Sequence, residues 1–129
     1  MDRHRSLGDG GRDRDVAVVA VSGRIVGCRR AAGAPAVPWG TFARSAFSLS
    51  RGRIAEYRSS PQVARGFCPE CGTSLTYRHE RRAAEIDVTL ASLDDPGALV
   101  PQMHLWVSDK LPWMSIGDGL PQFERGVPS

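Results

Sequence analysis

Lysine is almost missing from this chain: of 17 basic residues only Lys110 is a lysine, and the rest are arginines scattered among 14 acidic residues. Such a skew is what GC-rich coding produces, since most arginine codons are GC-rich. The arginines do not gather into a stripe. The net charge of +3 and the pI near 9.1 therefore read as surface solvation, and nucleic acid is not an expected partner. Long apolar runs are lacking too. The longest, residues 16–21, falls far short of the ~20 residues that span a bilayer. Asp13 and Asp15 stand in front of it, which makes it a poor secretory signal. The expected partners thus include no membrane, and the expected compartment is the cytoplasm. Cysteine is sparse and odd in number, with Cys28, Cys68 and Cys71 only, which argues against a disulfide framework. No helical stripe exceeds two turns, and there is no internal repeat.

What remains fits one globular domain. The chain has 129 residues, 41% hydrophobic and 24% charged, which is ordinary globular usage. A single core is feasible at this length, with about two-thirds of the chain's surface buried. Residues 1–15 alternate Arg and Asp with glycines and are expected to be a mobile tail. Residues 16–121 form the expected domain, and residues 122–129 a loose C-terminal tail. Inside the domain, residues 16–21 are apolar and mostly β-branched, the composition of a buried strand ending at Ser22-Gly23. Gly33, Pro35 and Pro38 exclude a regular helix over residues 31–38, and an extended piece through Trp39, Thr41 and Phe42 follows. Short strands are predicted at 54–58, 73–78 and 104–107, with turns at Ser59-Ser60-Pro61 and Asp94-Asp95-Pro96-Gly97. Residues 85–90 alternate polar and apolar, the clearest half-buried strand in the chain. The fold class is mainly β.

The strongest chemical signal is Phe67-Cys68-Pro69-Glu70-Cys71-Gly72. Two thiolates two residues apart can hold one tetrahedral zinc at Zn–S distances of ~2.3 Å. Pro69 fixes one backbone angle of the turn, and Gly72 permits the positive φ that aims amides back at the sulfurs. A thioredoxin-type redox pair is the rival. It needs the first cysteine at a helix N-terminus, whereas Gly72 followed by β-branched Thr73 points to a strand. A closed zinc site needs four ligands, so the knuckle supplies half. Cys28 precedes Arg29 and Arg30, whose guanidinium groups would lower a thiol pKa. Taken alone it reads as a small residue at a strand end. Among the histidines, His4 falls in the tail, His79 after a strand in solvent, and His104 at a packed, hydrogen-bonded position. None has ligand spacing.

Cys28-Arg29-Arg30-Ala31-Ala32-Gly33-Ala34-Pro35, with Trp39 and Phe42 after it, resembles a signature segment of the glutathione-dependent formaldehyde-activating (GFA) family, also called the CENP-V/GFA domain. The likeness continues through Tyr57-Arg58-Ser59-Ser60, the Cys68–Cys71 knuckle, Leu75-Thr76-Tyr77 and Ile86-Asp87-Val88. It runs on through Ser92-Leu93-Asp94-Asp95-Pro96, His104-Leu105-Trp106 and Leu111-Pro112-Trp113, and covers about residues 28–121. The resemblance implies an Mss4-like fold of short coiled β-sheets pinned by zinc. It implies a structural site to which Cys68 and Cys71 contribute, and a catalytic site whose last ligand is Cys28. The implied activity is that of a carbon–sulfur lyase, with glutathione and formaldehyde combining reversibly to S-(hydroxymethyl)glutathione. Zinc suits that chemistry, because it stabilises thiolate near neutral pH and polarises a carbonyl. Arg29 and Arg30 become candidates to attract substrate carboxylates, and Trp39, His104 and Trp113 candidates for pocket walls, with core packing the alternative role for each.

The chain departs from the family pattern at the metal ligands. Gly23 and Ile25 stand where the other two catalytic cysteines are expected, and no C-x-C pair precedes them. Residues 1–27 have the look of GC-rich DNA read in another frame or from a misplaced start. Without those ligands and strands the chain is expected to be marginally stable or prone to associate. Two functions compete. One is a zinc-dependent lyase acting on a small thiol–aldehyde adduct. The other is a non-catalytic GFA-fold module, in one form a homodimer clipped by zinc through Cys68 and Cys71 of each copy.

Overall fold

The structure is a computed structural model, and it describes residues 16–23, 29–49 and 52–127. The described strands are β1 (Val16–Ser22), β2 (Val37–Ala43), β3 (Ala55–Ser60), β4 (Val63–Phe67), β5 (Ser74–His79), β6 (Glu85–Thr89) and β7 (Met103–Leu105). They make one seven-stranded sheet in the order β3-β4-β5-β6-β2-β1-β7. Every pairing is antiparallel except that of β1 with β7, so the sheet is mixed. Among the described residues helix is limited to one turn at Arg30–Ala32 and several short 3-10 turns. The mainly β fold class agrees with the sequence reading, though the strands lie in one sheet rather than in several.

The expected strands at the start of the domain, around Trp39, and at residues 54–58, 73–78, 85–90 and 104–107 are all present with shifted ends. The proline-rich stretch is resolved into two pieces. A helical turn occupies Arg30–Ala32 and stops at Gly33, whose φ of 64° is left-handed. Pro38 then sits inside β2, opposite Val21 of β1, while the ladder to β6 begins only at Trp39. Pro38 therefore has no β6 residue asking for its missing N–H, which is the condition for proline in a strand. One strand, β4, had no counterpart in the sequence expectations.

Directly paired residues share a sheet face, so the registers sort the side chains into two sides. On one side Val19, Phe42, Ile86, Val88 and Leu90 join the buried apolar cluster, which Leu75, Leu99 and Cys68 complete. On the other, the smaller cluster of Val37 and Trp39 packs with Tyr77. Trp39 and Tyr77 meet edge to face, their ring centroids 6.1 Å apart. The first face carries most of the hydrophobic stabilisation; the second carries the polar side chains discussed below.

Residues 122–127 do not behave as a loose tail. His104 N–H donates to Pro121 O, Phe123 N–H to His104 O, and Trp106 N–H to Arg125 O, at 2.8, 2.9 and 3.0 Å. The segment thus runs beside β7 and closes that edge of the sheet. The unpaired groups of an edge strand supply the partners that hold it.

Candidate functional site

The cysteine knuckle links β4 to β5. Cys68 N–H donates to Thr73 O at 2.9 Å and Gly72 N–H to Cys68 O at 2.7 Å, closing the turn on itself. Gly72 has φ +80°, the left-handed conformation expected of it. The two thiols face different surroundings. Cys68 is fully buried in the apolar cluster, while Cys71 is exposed, with Sγ 3.0 Å from Thr73 Oγ1. Neither is in a disulfide. A depression with a volume of about 470 Å³ brings Cys71 and Thr73 to Ala31, Ala32 and Ala34, the residues that closely follow Cys28 in sequence. Cys28 itself lies outside the described residues, as does His4.

The donor set does not fit a closed zinc centre. Among the described residues no three of His, Cys, Asp or Glu come together as ligands. A tetrahedral structural site needs four and a catalytic one three. Cys68 and Cys71 stand as a pair, one of them buried in the apolar cluster that also holds Phe42 and Leu75.

The other proposed site residues scatter. Arg30 is exposed, and Arg29 is half-buried with its Nε buried and without a hydrogen-bond partner. His104 is buried on β7, with Nε2 2.7 Å from Asp118 Oδ2. That bond, together with one from Leu120 N–H to Oδ1, holds the Asp118 carboxyl below its ordinary pKa. His104 was expected as a packed residue, and it pins β7 to the C-terminal loop. Trp113 requires correction. At 72% exposure it packs in no core, and it lines neither the depression at Cys71 nor the cleft that Trp39 lines, because it sits on the turn at residues 112–113 beyond the last described 3-10 turn.

Trp39, by contrast, lines a cleft of about 390 Å³ on the second face of the sheet. A row of directly paired residues crosses that face: Arg65 of β4 opposite Tyr77 of β5, Tyr77 opposite Asp87 of β6, Asp87 opposite Thr41 of β2. Asp87 is held from both sides. Thr41 Oγ1 donates to Oδ1 at 2.7 Å and Arg82 Nη2 to Oδ2 at 2.8 Å. Arg82 also donates to Glu85 Oε1 at 3.0 Å. Burial disfavours the Arg82 charge, but the bonds to Asp87 and Glu85 outweigh it and leave its pKa above the ordinary value. The Arg65 guanidinium lies over the Tyr77 ring, 4.8 Å from its centroid, and its Nε donates to Ser59 Oγ at 3.1 Å. Leu105, Trp106, Gly126 and Val127 form the opposite wall. Trp106 is held at φ 58°, the one non-glycine residue among those described with a positive φ. Strained backbone of this kind, in a bulky residue, tends to gather at functional sites.

Sequence reasoning missed this cleft apart from Trp39. Its residues come from six strands, the 3-10 turn Glu80–Arg82 and the C-terminal segment. The available signal was a set of polar or aromatic residues at one phase of the strand alternation, among them Arg65, Tyr77 and Asp87.

Fold and site define a small mainly β protein with a paired-thiol knuckle and an open polar cleft on one face of its sheet. Within that class, residues 23–109, more than half of the chain, match the family described as glutathione-dependent formaldehyde-activating enzyme, and the chain belongs to that family. The match begins at Gly23, ahead of the Cys28 segment, and ends before Trp113. A comparison with curated proteins gives no match. Among the described residues no helix is long and apolar enough to cross a membrane.

Proposed function

We propose that the chain takes part in the family's reaction as a carbon–sulfur lyase acting on a glutathione–aldehyde adduct such as S-(hydroxymethyl)glutathione. The observation that carries this reading is the family match, which spans the Cys28 segment and the knuckle together. In the synthetic direction the thiol sulfur bonds to the aldehyde carbon, and the thiol proton ends on the former carbonyl oxygen. In the reverse direction that hydroxyl gives up its proton, the C–S bond breaks, and the thiol regains it. The shared depression at Cys71 and Ala31–Ala34 supports a meeting of the knuckle with the segment after Cys28. Arg29 and Arg30 are placed in sequence to draw in the substrate's carboxylates. Cytoplasmic residence, where glutathione is abundant, is part of the same proposal. The test is exchange spectroscopy on ¹³C-formaldehyde and glutathione with the purified chain, with zinc content measured on the same sample. Exchange faster than in buffer, abolished by Cys28→Ser, supports the lyase; buffer rates with the zinc-supplemented chain overturn it.

A second reading is a non-catalytic member of the family. It is favoured by the absence, among the described residues, of any three grouped metal donors. A zinc-clipped homodimer is its sharpest form. Because Cys68 is fully buried, such a clip requires the knuckle to open on its Gly52–Arg53 side. One zinc per two chains, lost with Cys68→Ser together with the dimer, supports the clip.

A further inference from the structure

We propose that the cleft on the second face of the sheet binds a small organic acid: the carboxylate on Arg65 and His79, the apolar body against Trp39, Leu105 and Trp106. The proposal goes beyond the lyase reading, since it is argued from the cleft alone and requires neither a thiol nor a metal.

Among the described residues, the charges in the cleft leave one cation over. Asp87 and Arg82 are paired, and Arg82 has Glu85 as well. Arg65 also lines the cleft, and among the described residues no carboxylate lies within ion-pair distance of it. Its guanidinium is oriented by stacking on Tyr77 and by the bond from Nε to Ser59, which leaves the two Nη groups as a planar fork. Such a fork matches the two oxygens of a carboxylate, and its orientation is set before a ligand arrives. His79, at the end of β5, adds a second donor. Its Nδ1 accepts from Arg81 N–H at 3.1 Å, so the neutral ring carries its hydrogen on Nε2. His79 lines the same cleft.

Beyond Arg65 and His79 the lining also includes Ser22, Thr41, Tyr77, Arg82 and Asp87, but most of its surface is apolar. Ala20, Trp39, Leu105, Trp106 and Val127 offer hydrocarbon and two indole surfaces, with Thr41 and Asp87 at the floor already satisfied by one another. The volume of about 390 Å³ falls in the range of small-ligand pockets. An inorganic anion would use the fork and leave these walls unused. An uncharged apolar molecule would use the walls and leave Arg65 without a counter-charge. A carboxylate on an apolar body uses both.

The tryptophans make the test local. Trp39 and Trp106 line the cleft, whereas Trp113 is exposed and outside it. Indole N–H resonances of the full chain are followed during titration with 3-phenylpropionate, with 3-phenylpropionamide and inorganic phosphate as the comparison ligands. The expected result is saturable movement of the Trp39 and Trp106 signals with Trp113 still. Binding should be at least about tenfold weaker for the neutral amide and for Arg65→Gln, the loss of a charge-assisted bidentate contact. The acid-against-amide comparison uses the unaltered chain and stands even if Arg65→Gln fails to fold. Equal binding of acid and amide, equal binding of phosphate, movement of Trp113 alone, or no saturation at millimolar acid each overturns the proposal. Because 3-phenylpropionate has no thiol, these outcomes are independent of the formaldehyde-exchange result.

Discussion

Gly66 of β4 faces Thr76 of β5 so closely that a Cβ on the glycine would lie 2.0 Å from the threonine Oγ1, and 2.7 Å from Ile54 Cγ2. Thr76 is itself 2% exposed and has nowhere to swing. Gly66→Ala must therefore push the two strands apart or force a strained rotamer. The expected destabilisation is at least about 1–3 kcal/mol, the usual range for overpacking. Thr76→Ala should recover part of it in the double variant, with Ile54 accounting for the remainder. Denaturant melts of the two single variants and the double variant measure the coupling. Additive effects would mean that the contact does not limit the packing.

The same glycine explains part of what the sequence concealed. β1 and β6 were legible because a β-branched run and a strict alternation each report burial directly. β4 reads Val63-Ala64-Arg65-Gly66-Phe67, where a charge and a glycine interrupt any pattern. Both have reasons that only the paired strands supply: Arg65 faces the cleft beside Tyr77, and Gly66 makes room for Thr76. The knuckle was legible because its spacing is local. The cleft was not, since Thr41, Arg65, Tyr77 and Asp87 come together only through cross-strand register. His104 was legible as a packed residue, whereas Asp118, its partner, lies 14 residues away in an irregular loop. Trp113 misled because a large aromatic in a family-like segment was taken for a wall or a core residue.

Trp106 tests whether backbone strain is stored at the cleft. At φ 58° and ψ 38° an L-residue is disfavoured by roughly 1–2 kcal/mol, while glycine is not. Trp106→Ala and Trp106→Gly lose the same indole packing, so their difference isolates the backbone. The glycine variant is expected to be the more stable by about 1 kcal/mol, the reverse of the order found in ordinary strands. Thermal melts of the two variants decide it. An alanine variant equal to or better than the glycine would remove the strain argument.

Acid should weaken the outer sheet through one carboxylate. Arg78 of β5 reaches across β4 to Glu56 of β3, with Nε to Oε2 at 2.8 Å and Nη2 to Oε1 at 2.6 Å. These bonds hold the Glu56 carboxyl below its ordinary pKa. A carboxylate lowered in the folded state adds stability above its unfolded pKa. That contribution fades as pH falls from the unfolded pKa through the folded one. The side chains are 25% and 38% exposed, so solvent screening limits the effect to about 0.5 kcal/mol. Glu56→Gln should therefore trail the parent slightly at neutral pH and low salt, with the gap closing as the pH falls through and below the ordinary glutamate range. A gap that widens on acidification would contradict the sign.

The burial of Cys68 and exposure of Cys71 predict two thiols of unequal accessibility in one knuckle. In a Cys28→Ser background a thiol reagent such as iodoacetamide should alkylate Cys71 in the native chain. Cys68 should react only when the sheet opens, because its sulfur is enclosed by the cluster that contains Phe42 and Leu75. Cys68→Ala should cost about 1 kcal/mol or more through the cavity it leaves, and Cys71→Ala much less. Peptide mapping after graded exposure to reagent separates the two sites. The same experiment with zinc present bears on the metal. If the ion recruits both thiolates, Cys71 becomes protected and the Cys68→Ala variant loses that protection. Protection of Cys71 that persists in Cys68→Ala would place the second donor elsewhere.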